Sequence, residues 1–128
     1  MLDRQYGRIV TVSSMPGVTT GPGRAAYGAT KGAVQSLTRH LAVDFGKSGF
    51  TENSLAPGPV ETPLCEKENG TDPKVREQFL RNFPTKHFGT ADDIAGAAAF
   101  LALDDAAYVN GHALLVDGGV SIKGLLLP

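Results

Sequence analysis

Three side chains of types that transfer protons stand close together in the sequence. Ser14 is followed thirteen residues later by Tyr27 and, four residues after that, by Lys31. Residues four apart on a helix share a face, so we expect Tyr27 and Lys31 to point the same way. A free tyrosine titrates near ~10, too high for a base at neutral pH, and a neighbouring ammonium stabilises its phenolate. The three groups could therefore orient a C–O group and exchange its proton, with Ser14 holding the oxygen.

This chemistry is incomplete on its own. Oxidising an alcohol or reducing a carbonyl also needs a hydride carrier, which must be a cofactor. The spacing Tyr-x-x-x-Lys is also short enough to arise by chance in many helices. Taken alone, it favours a surface lysine beside a half-buried tyrosine, so other motifs must decide between the two interpretations.

The elements that must position these residues alternate between strands and helices. β-Branched and apolar runs predict strands, and apolar residues spaced three and four apart predict helices. On these patterns we expect strands over 8–14, 50–56 and 112–116, a helix over 25–45, a short helix from Pro73 and a helix over 94–103. The alternation predicts an α/β fold: a parallel sheet of three strands with right-handed crossovers, two main helices and a short third one.

Local signals mark the starts and faces of these helices. Asp72 before Pro73 is typical of a helix start, and Thr90 with Asp93 forms a capping-box pattern. The long helix is predicted to have one apolar face of the kind that packs on a core, formed by Val34, Leu37, Leu41 and Phe45.

In a parallel sheet of this kind the carboxyl ends of the strands meet at one edge, where ligands bind. Ser14 ends the first predicted strand, residues 57–62 follow the second, and Tyr27 lies near the start of the helix that begins at the same edge. The predicted topology therefore brings the three segments together.

Three sequence blocks together carry a family resemblance. They are GRIVTVSS at 7–14, YGATKGA at 27–33 and NSLAPGPVETP at 53–63, and VDGG at 116–119 continues the likeness. In sequence, order and spacing they resemble the short-chain dehydrogenase/reductase family, over nearly the whole chain.

The resemblance implies hydride transfer between NAD or NADP and a small alcohol or ketone substrate. Tyr27 would act as general acid/base, Lys31 would favour its phenolate and hydrogen-bond to the nicotinamide ribose, and Ser14 would steady the substrate oxygen. Besides Lys31, the nicotinamide end of the cofactor would be lined by Pro57, Gly58, Val60 and Thr62, the last two near its carboxamide.

The resemblance also implies roles for longer segments. Residues 64–88 would be the substrate-covering loop and helix, a kind of segment that is usually mobile and sets specificity. The long helix over 25–45 would pair subunits into a homo-oligomer.

The resemblance begins about midway along the family's fold. Residues 1–128 are therefore expected to form one incomplete Rossmann-type domain with part of a doubly wound parallel sheet. This is the carboxy-terminal catalytic half, without the glycine-rich turn that seats the pyrophosphate. Residues 21–26 do match G-x-G-x-x-A, with Asp44 near the acidic position. That fingerprint must follow a strand directly, however, and here other residues intervene, so we interpret the match as a loop.

Two functions remain open at this point. The chain is an oxidoreductase whose cofactor-binding half lies elsewhere, or it is a non-enzymatic half-domain that binds partners through the long helix. In the second case Gln35 and Arg39 are expected on the exposed face of that helix. By itself we expect the chain to be inactive and either oligomeric or poorly soluble, because its first strand would have an unpaired edge.

The composition of the chain disfavours several other classes of protein. Lys and Arg number 12 against 13 for Asp and Glu, a net charge of −1 that disfavours a nucleic-acid partner. No apolar run approaches the ~20 residues of a membrane span, and no signal-peptide pattern occurs, so a cytoplasmic protein is expected. The single cysteine, Cys65, permits no internal disulfide, and the three histidines follow no metal-ligand spacing.

One residue departs from the family's pattern. Glu52 stands in the second predicted strand, where the family usually carries an apolar residue. In a strand covered on both faces, its carboxylate would be costly unless it is paired or protonated.

Overall fold

The computed structural model describes residues 1–19, 21–65 and 72–123 of the chain. Along these residues run β1 (Gly7–Val12), α1 (Ala25–Phe45), β2 (Phe50–Pro57), α2 (Pro73–Leu80), α3 (Ala91–Ala102) and β3 (Ala113–Val116). The predicted order of strands and helices is confirmed, and the bounds of α1 are those predicted.

The strands form a parallel sheet in the order β1-β2-β3. Gly7 of β1 lies beside Phe50 of β2, and Ser54 of β2 lies beside Ala113 of β3. The central strand β2 is buried from Phe50 to Ala56, as expected of a strand with a neighbour on each side. This architecture confirms the predicted α/β class and the partial Rossmann-type sheet of three parallel strands.

The predicted helix starts are confirmed by side-chain hydrogen bonds. The Asp72 carboxylate accepts a 2.9 Å hydrogen bond from the backbone N–H of Lys74, with Pro73 in the first turn. At α3, Thr90 Oγ1 accepts from the N–H of Asp93, whose carboxylate accepts from the N–H of Thr90 at 2.7 Å. Hydrogen bonds from the backbone and the hydroxyl of Thr90 hold the pKa of Asp93 below its ordinary value. Both caps satisfy N–H groups that no helical carbonyl reaches.

The two faces of the sheet pack against different helices. On one face Leu55 of β2 packs with Leu101 of α3, and both side chains are 1% exposed. On the other face Thr11 of β1 and Glu52 of β2 contact Thr38 of α1 through hydrogen bonds. Successive strand residues point to opposite faces, so neighbouring residues of β2 meet different helices.

The buried face of α1 differs from the predicted one. Leu37 is 54% exposed and Phe45 is 37% exposed, whereas the buried residues of the helix are Gln35, Thr38 and Ala42. The predicted apolar face was therefore wrong for Leu37 and Phe45, although Val34 and Leu41 are half-buried, and the predicted exposure of Gln35 was wrong. The contact of α1 with the sheet includes polar groups, because the hydroxyls of Thr38 and Thr11 lie 3.1 Å apart.

Candidate active site

Ser14 lies two residues beyond the end of β1, which stops earlier than predicted. Its backbone is extended, and the 3-10 turn Met15–Gly17 begins directly after it. The N–H of Gly17 donates to the Ser14 carbonyl at 2.9 Å, which closes that turn. Ser14 is therefore held by a turn of its own at the carboxyl edge of the sheet.

The turn after Ser14 lies directly on the first turns of α1. A Cβ atom added to Gly17 would come within 2.9 Å of the Lys31 carbonyl carbon, and one added to Gly28 within 3.0 Å of the Pro16 carbonyl oxygen. Because backbone atoms form the opposing surface, neither site can easily give way to a side chain. The two glycines thus allow the segment that carries Ser14 to approach α1 closely.

Gln35 ties the same two segments together with hydrogen bonds. Its Nε2 donates to Ser13 Oγ at 3.0 Å and to the Ser14 carbonyl at 3.3 Å. Ser13 Oγ in turn donates to the Lys31 carbonyl at 2.9 Å. Gln35 and Ser13 are both buried, so water does not compete for these hydrogen bonds. We predicted Gln35 to be exposed, although its position four residues after Lys31 puts the two on one helix face.

Tyr27 and Lys31 share a face of α1, as their spacing predicts. Lys31 Nζ lies 5.8 Å from the centroid of the Tyr27 ring. The same ammonium donates a 3.2 Å hydrogen bond to the carbonyl of Val12, the last residue of β1. An ammonium carries three N–H donors, so donors remain for a ligand. Tyr27 is 43% exposed, which leaves its ring accessible at this edge.

The segment after β2 lies at the same edge, because β1 and β2 are parallel. The N–H of Gly58 donates to the Val116 carbonyl at 3.0 Å. A Cβ atom on Gly58 would lie 2.8 Å from Asp117 Cα, which leaves no room for a side chain. Val60 forms an isolated parallel bridge with Gly89. Gly58 and Val60 are thus held by the residue after β3 and by Gly89.

Pro57 and Thr62 bound this segment. Pro57 is the last residue of β2, and Thr62 Oγ1 accepts a 3.1 Å hydrogen bond from the N–H of Cys65. A hydroxyl that accepts in this way still has its own hydrogen to donate. Thr62 can therefore offer a hydrogen bond to a ligand carbonyl.

Asp117, the residue after β3, anchors this edge. Burial opposes ionisation of its carboxyl, but hydrogen bonds from Ser121 and Gly119 together hold its pKa below the ordinary value. The N–H groups of Ser121 and Gly119 donate to it at 2.9 and 3.0 Å. The ionised carboxylate thus closes the turn against which Gly58 packs.

Helix α2 is tied to the segment after β2 by an ion pair, and an aromatic cluster packs the helix against the residues that follow it. Arg76 donates to the carboxylate of Glu61, and its guanidinium carbon lies 4.6 Å from the centroid of the Phe88 ring. The Phe88 ring centroid lies 5.7 Å from that of Phe79 and 5.2 Å from that of Phe83. Phe83 and Phe88 are buried, so the cluster forms a small apolar core beside α2.

The aromatic cluster was not predicted. Phe79 and Phe83 stand four residues apart on a helical pattern, which was the available signal. The cluster belongs to the predicted substrate-covering segment over 64–88, of which residues 66–71 lie outside the described residues.

The donors at this edge fit the nicotinamide end of a dinucleotide. Lys31 has N–H groups for a ribose hydroxyl, and Thr62 has a hydroxyl hydrogen for a carboxamide oxygen. Pro57 and Val60 offer apolar surface. Gly58 has no side chain and therefore leaves room for a flat ring. These five residues could therefore hold the cofactor's reactive end.

Other site classes find no support in the part of the chain that the structure describes. Within residues 1–19, 21–65 and 72–123, no three or more His, Cys, Asp or Glu side chains are grouped to hold a metal ion. Within the same ranges, no helix combines the length and the apolarity that crossing a bilayer requires.

Comparison with known proteins extends this description. A family model described as enoyl-(acyl carrier protein) reductase matches residues 1–121. The 2-(R)-hydroxypropyl-CoM dehydrogenase of Xanthobacter autotrophicus is 44% identical over 118 residues, which cover 92% of this chain and 47% of that protein. This chain is thus similar to a dehydrogenase along almost its whole length.

Solved structures agree with the sequence comparison. A Burkholderia cenocepacia gluconate 5-dehydrogenase in complex with NADP and tartrate superposes with a TM-score of 0.89 at 34% identity, over 96% of this chain and 48% of that one. An oxidoreductase of the short chain dehydrogenase/reductase family from Burkholderia thailandensis gives a TM-score of 0.90 at 38% identity, over 97% and 48%. The chain spans about half the length of the proteins it matches.

Proposed function

This chain belongs to the short-chain dehydrogenase/reductase family, and from that membership we propose that it is the catalytic part of an oxidoreductase. The reaction is hydride transfer between NAD or NADP and the alcohol or carbonyl group of a small molecule. The observation that carries the proposal is the place of Lys31 Nζ, which bonds to the Val12 carbonyl and lies 5.8 Å from the Tyr27 ring centroid. The turn that holds Ser14 packs on the same helix.

The three side chains divide the proton chemistry among them. In the reducing direction, Ser14 donates a hydrogen bond to the substrate carbonyl oxygen and holds it against the Tyr27 phenol. Tyr27 gives its proton to that oxygen as the carbonyl becomes an alcohol, and Lys31 stabilises the phenolate that remains. The bound nicotinamide supplies the hydride that adds to the carbonyl carbon. In the oxidising direction each step runs backwards.

The nicotinamide end of the cofactor lies, in this proposal, against Lys31 and residues 57–62. The gluconate 5-dehydrogenase described above contains NADP, which supports a nicotinamide cofactor here. Because this chain spans about half of that protein, the pyrophosphate site is proposed to lie on residues outside 1–128. The chain alone is then expected to be inactive.

The substrate is proposed to be a small secondary alcohol or the matching ketone. The names of two relatives support this class, since one acts on a 2-hydroxypropyl compound and another on gluconate at its fifth carbon. Residues 64–88 would cover the substrate, with α2 held in place by Glu61 and the aromatic cluster.

The test is a chimaera in which the amino-terminal half of the Xanthobacter dehydrogenase precedes this chain. We expect alcohol oxidation with NAD or NADP in the chimaera and none in the chain alone.

In the chimaera, Tyr27→Phe should lower kcat by at least about 100-fold, because the proton acceptor is lost while the ring is kept. Tyr108→Phe is the matched control, since Tyr108 is fully exposed and far from the site in sequence. Turnover that survives Tyr27→Phe would refute the proposed role.

A second function is favoured by one observation on α1. Leu37 and Val43 are apolar and 54% and 82% exposed, so α1 leaves two apolar side chains uncovered that could contact a second subunit or a related chain. Arg39 lies on the same helix and is exposed, as predicted. Gln35 is buried and therefore cannot contact a partner.

Association through α1 is tested by sedimentation. A double variant, Leu37→Glu with Val43→Glu, should sediment as a smaller species than the unmodified chain, and Tyr27→Phe should leave the association unchanged. A monomeric unmodified chain would exclude self-association through α1.

A further inference from the structure

Gln35 is a buried polar residue of α1 that the proposed proton transfer does not use. It lies on the same helix as Lys31, four residues further along, and is 5% exposed. Its amide nitrogen donates to Ser13 Oγ and to the Ser14 carbonyl. A buried amide is costly unless it is hydrogen-bonded, so these two bonds hold the side chain in one place.

The partners of Gln35 fix the orientation of its amide. The Ser14 carbonyl oxygen can only accept, so the amide atom that faces it must be the nitrogen. Ser13 Oγ donates its one hydrogen to the Lys31 carbonyl at 2.9 Å, so it must accept from Gln35. Both hydrogens of the amide nitrogen are therefore used. Among uncharged side chains only Asn and Gln carry two donors on one nitrogen, and Asn is one methylene shorter.

The direction of the Ser14 side chain depends on how Ser13 is held. The Ser13 N–H donates to the Leu55 carbonyl of β2 at 2.7 Å, and its hydroxyl bonds to the Lys31 carbonyl. The backbone of Ser14 is extended, with φ −165° and ψ 156°. Successive residues of an extended chain point to opposite sides, so the Ser14 hydroxyl is directed away from the side on which the Ser13 hydroxyl is bound.

The amide of Gln35 packs against the turn that follows Ser14. A Cβ atom added to Gly17 would lie 2.6 Å from Gln35 Nε2, so only a glycine lets the amide reach the Ser14 carbonyl here. That carbonyl accepts one hydrogen bond from the Gly17 N–H and one from Gln35. A carbonyl oxygen has two lone pairs, and both are used. The turn therefore cannot move relative to α1 without breaking a hydrogen bond of a buried amide.

We propose that Gln35 is a positioning residue for the reaction, an inference that rests on the function proposed above. It acts through Ser14, whose hydroxyl it keeps where that group can hold the substrate oxygen against Tyr27. A misplacement of about 1 Å at a reacting centre can cost roughly 100-fold in rate. The cofactor contacts proposed for Lys31 Nζ and residues 57–62 use other atoms. Gln35 should therefore affect kcat and leave the Michaelis constant for the cofactor unchanged.

The proposal is tested by a double-mutant cycle of Gln35→Met and Ser14→Ala in the chimaera. Methionine keeps the length of the side chain and removes both donors. Gln35→Met should lower kcat at least about tenfold, with the Michaelis constant for NAD or NADP changed by less than about twofold. In the Ser14→Ala background it should cause no further loss, because it acts through Ser14. Arg39→Met is the control, since Arg39 is exposed on the same helix and kcat should not change.

The cycle separates this proposal from the function on which it rests. An equal loss of kcat with and without the Ser14 hydroxyl would overturn the positioning role, because it would reflect general damage to the fold. An unchanged kcat in Ser14→Ala alone would instead refute the role of Ser14 in the proposed reaction. In that case the positioning contact is decided by a measurement that needs no turnover.

That measurement is amide hydrogen exchange on the 128-residue chain. In Gln35→Met the Gly17 N–H, which donates to the Ser14 carbonyl, should exchange at least about tenfold faster than in the unmodified chain. The Gly58 N–H donates to another carbonyl at the same edge and should keep its rate. Unchanged exchange at Gly17 would overturn the proposal.

A second variant serves if Gln35→Met does not fold. Ser13→Ala removes the hydroxyl that joins Gln35 to the Lys31 carbonyl and adds no bulk. It should also speed exchange at Gly17 and lower kcat only where Ser14 is present. Exchange and kcat that both stay unchanged in Ser13→Ala would overturn the proposal.

Discussion

The side-chain amide of Gln35 donates a hydrogen bond to the backbone carbonyl of Ser14 at 3.3 Å. The same amide donates to Ser13 Oγ, and Ser13 donates to the Lys31 carbonyl. One buried side chain thus determines where the turn that holds Ser14 stands relative to α1. In the proposed reaction Gln35 transfers no proton, and its role is to position Ser14.

Replacing Gln35 by Leu should destabilise the chain by about 1–3 kcal/mol, because Ser13 Oγ and the Ser14 carbonyl would lose a buried donor. The free energy of unfolding in urea measures the loss. Gln78→Leu is the matched control, since Gln78 is exposed on α2 and should change stability by less than about 0.5 kcal/mol. Equal stability of the two variants would show that the amide does not hold the turn.

Lys31→Met should lower kcat/KM of the chimaera by at least about 100-fold, because the phenolate would lose the ammonium that stabilises it. The Michaelis constant for the cofactor should also rise, since the same ammonium is proposed to bond to the ribose. Lys47→Met serves as control, because Lys47 is exposed in a turn after α1. Steady-state kinetics with NAD and NADP separate the two effects, and an unchanged kcat/KM would exclude Lys31 from the mechanism.

The stability of the chain should fall as the pH rises above 4.5, the ordinary pKa of a glutamate. Burial raises the pKa of Glu52 in the folded chain, so above 4.5 and up to that raised value the folded state binds more protons than the unfolded state. In that range a rise in pH favours unfolding. Glu52→Gln should therefore flatten the decline and be the more stable protein at neutral pH.

Thermal unfolding at stepped pH measures this difference. Glu77→Gln is the control, because Glu77 is exposed on α2 and its variant should retain the decline. If Glu52→Gln and the unmodified chain lose stability in parallel, another group is responsible.

Gly58→Ala should destabilise the chain by about 1–3 kcal/mol, because the added methyl meets Asp117 at the end of β3 and no flexible side chain can move aside. Gly96→Ala is the contrasting variant. Gly96 lies on α3 with open space around it, so this change should stabilise the chain by about 0.5–1 kcal/mol. Urea denaturation of both variants checks the pair, and two changes of the same sign would contradict the packing described here.

The aromatic cluster and the buried face of α1 show where local patterns stop being informative. The four-residue spacing of Phe79 and Phe83 was a local signal, but the contact of Phe88 with both rings depends on the path of the chain after α2. Leu37 was predicted to pack on the core and is exposed, whereas Thr38 beside it is buried. Hydrophobicity alone could not choose between them, since the choice depends on which side of α1 meets the strands.

Local patterns were enough to predict the order of the strands and helices, the helix caps at Asp72 and Thr90, and the shared face of Tyr27 and Lys31. Each of these depends on residues within a few positions of one another, through periodicity, local hydrogen bonds or the pitch of a helix. Local patterns did not predict that Gln35 is buried and holds Ser14, or that the buried Glu52 accepts a hydrogen bond from Thr38. Those outcomes depend on contacts between distant segments, because burial is set by the surface that a side chain meets and not by its own polarity.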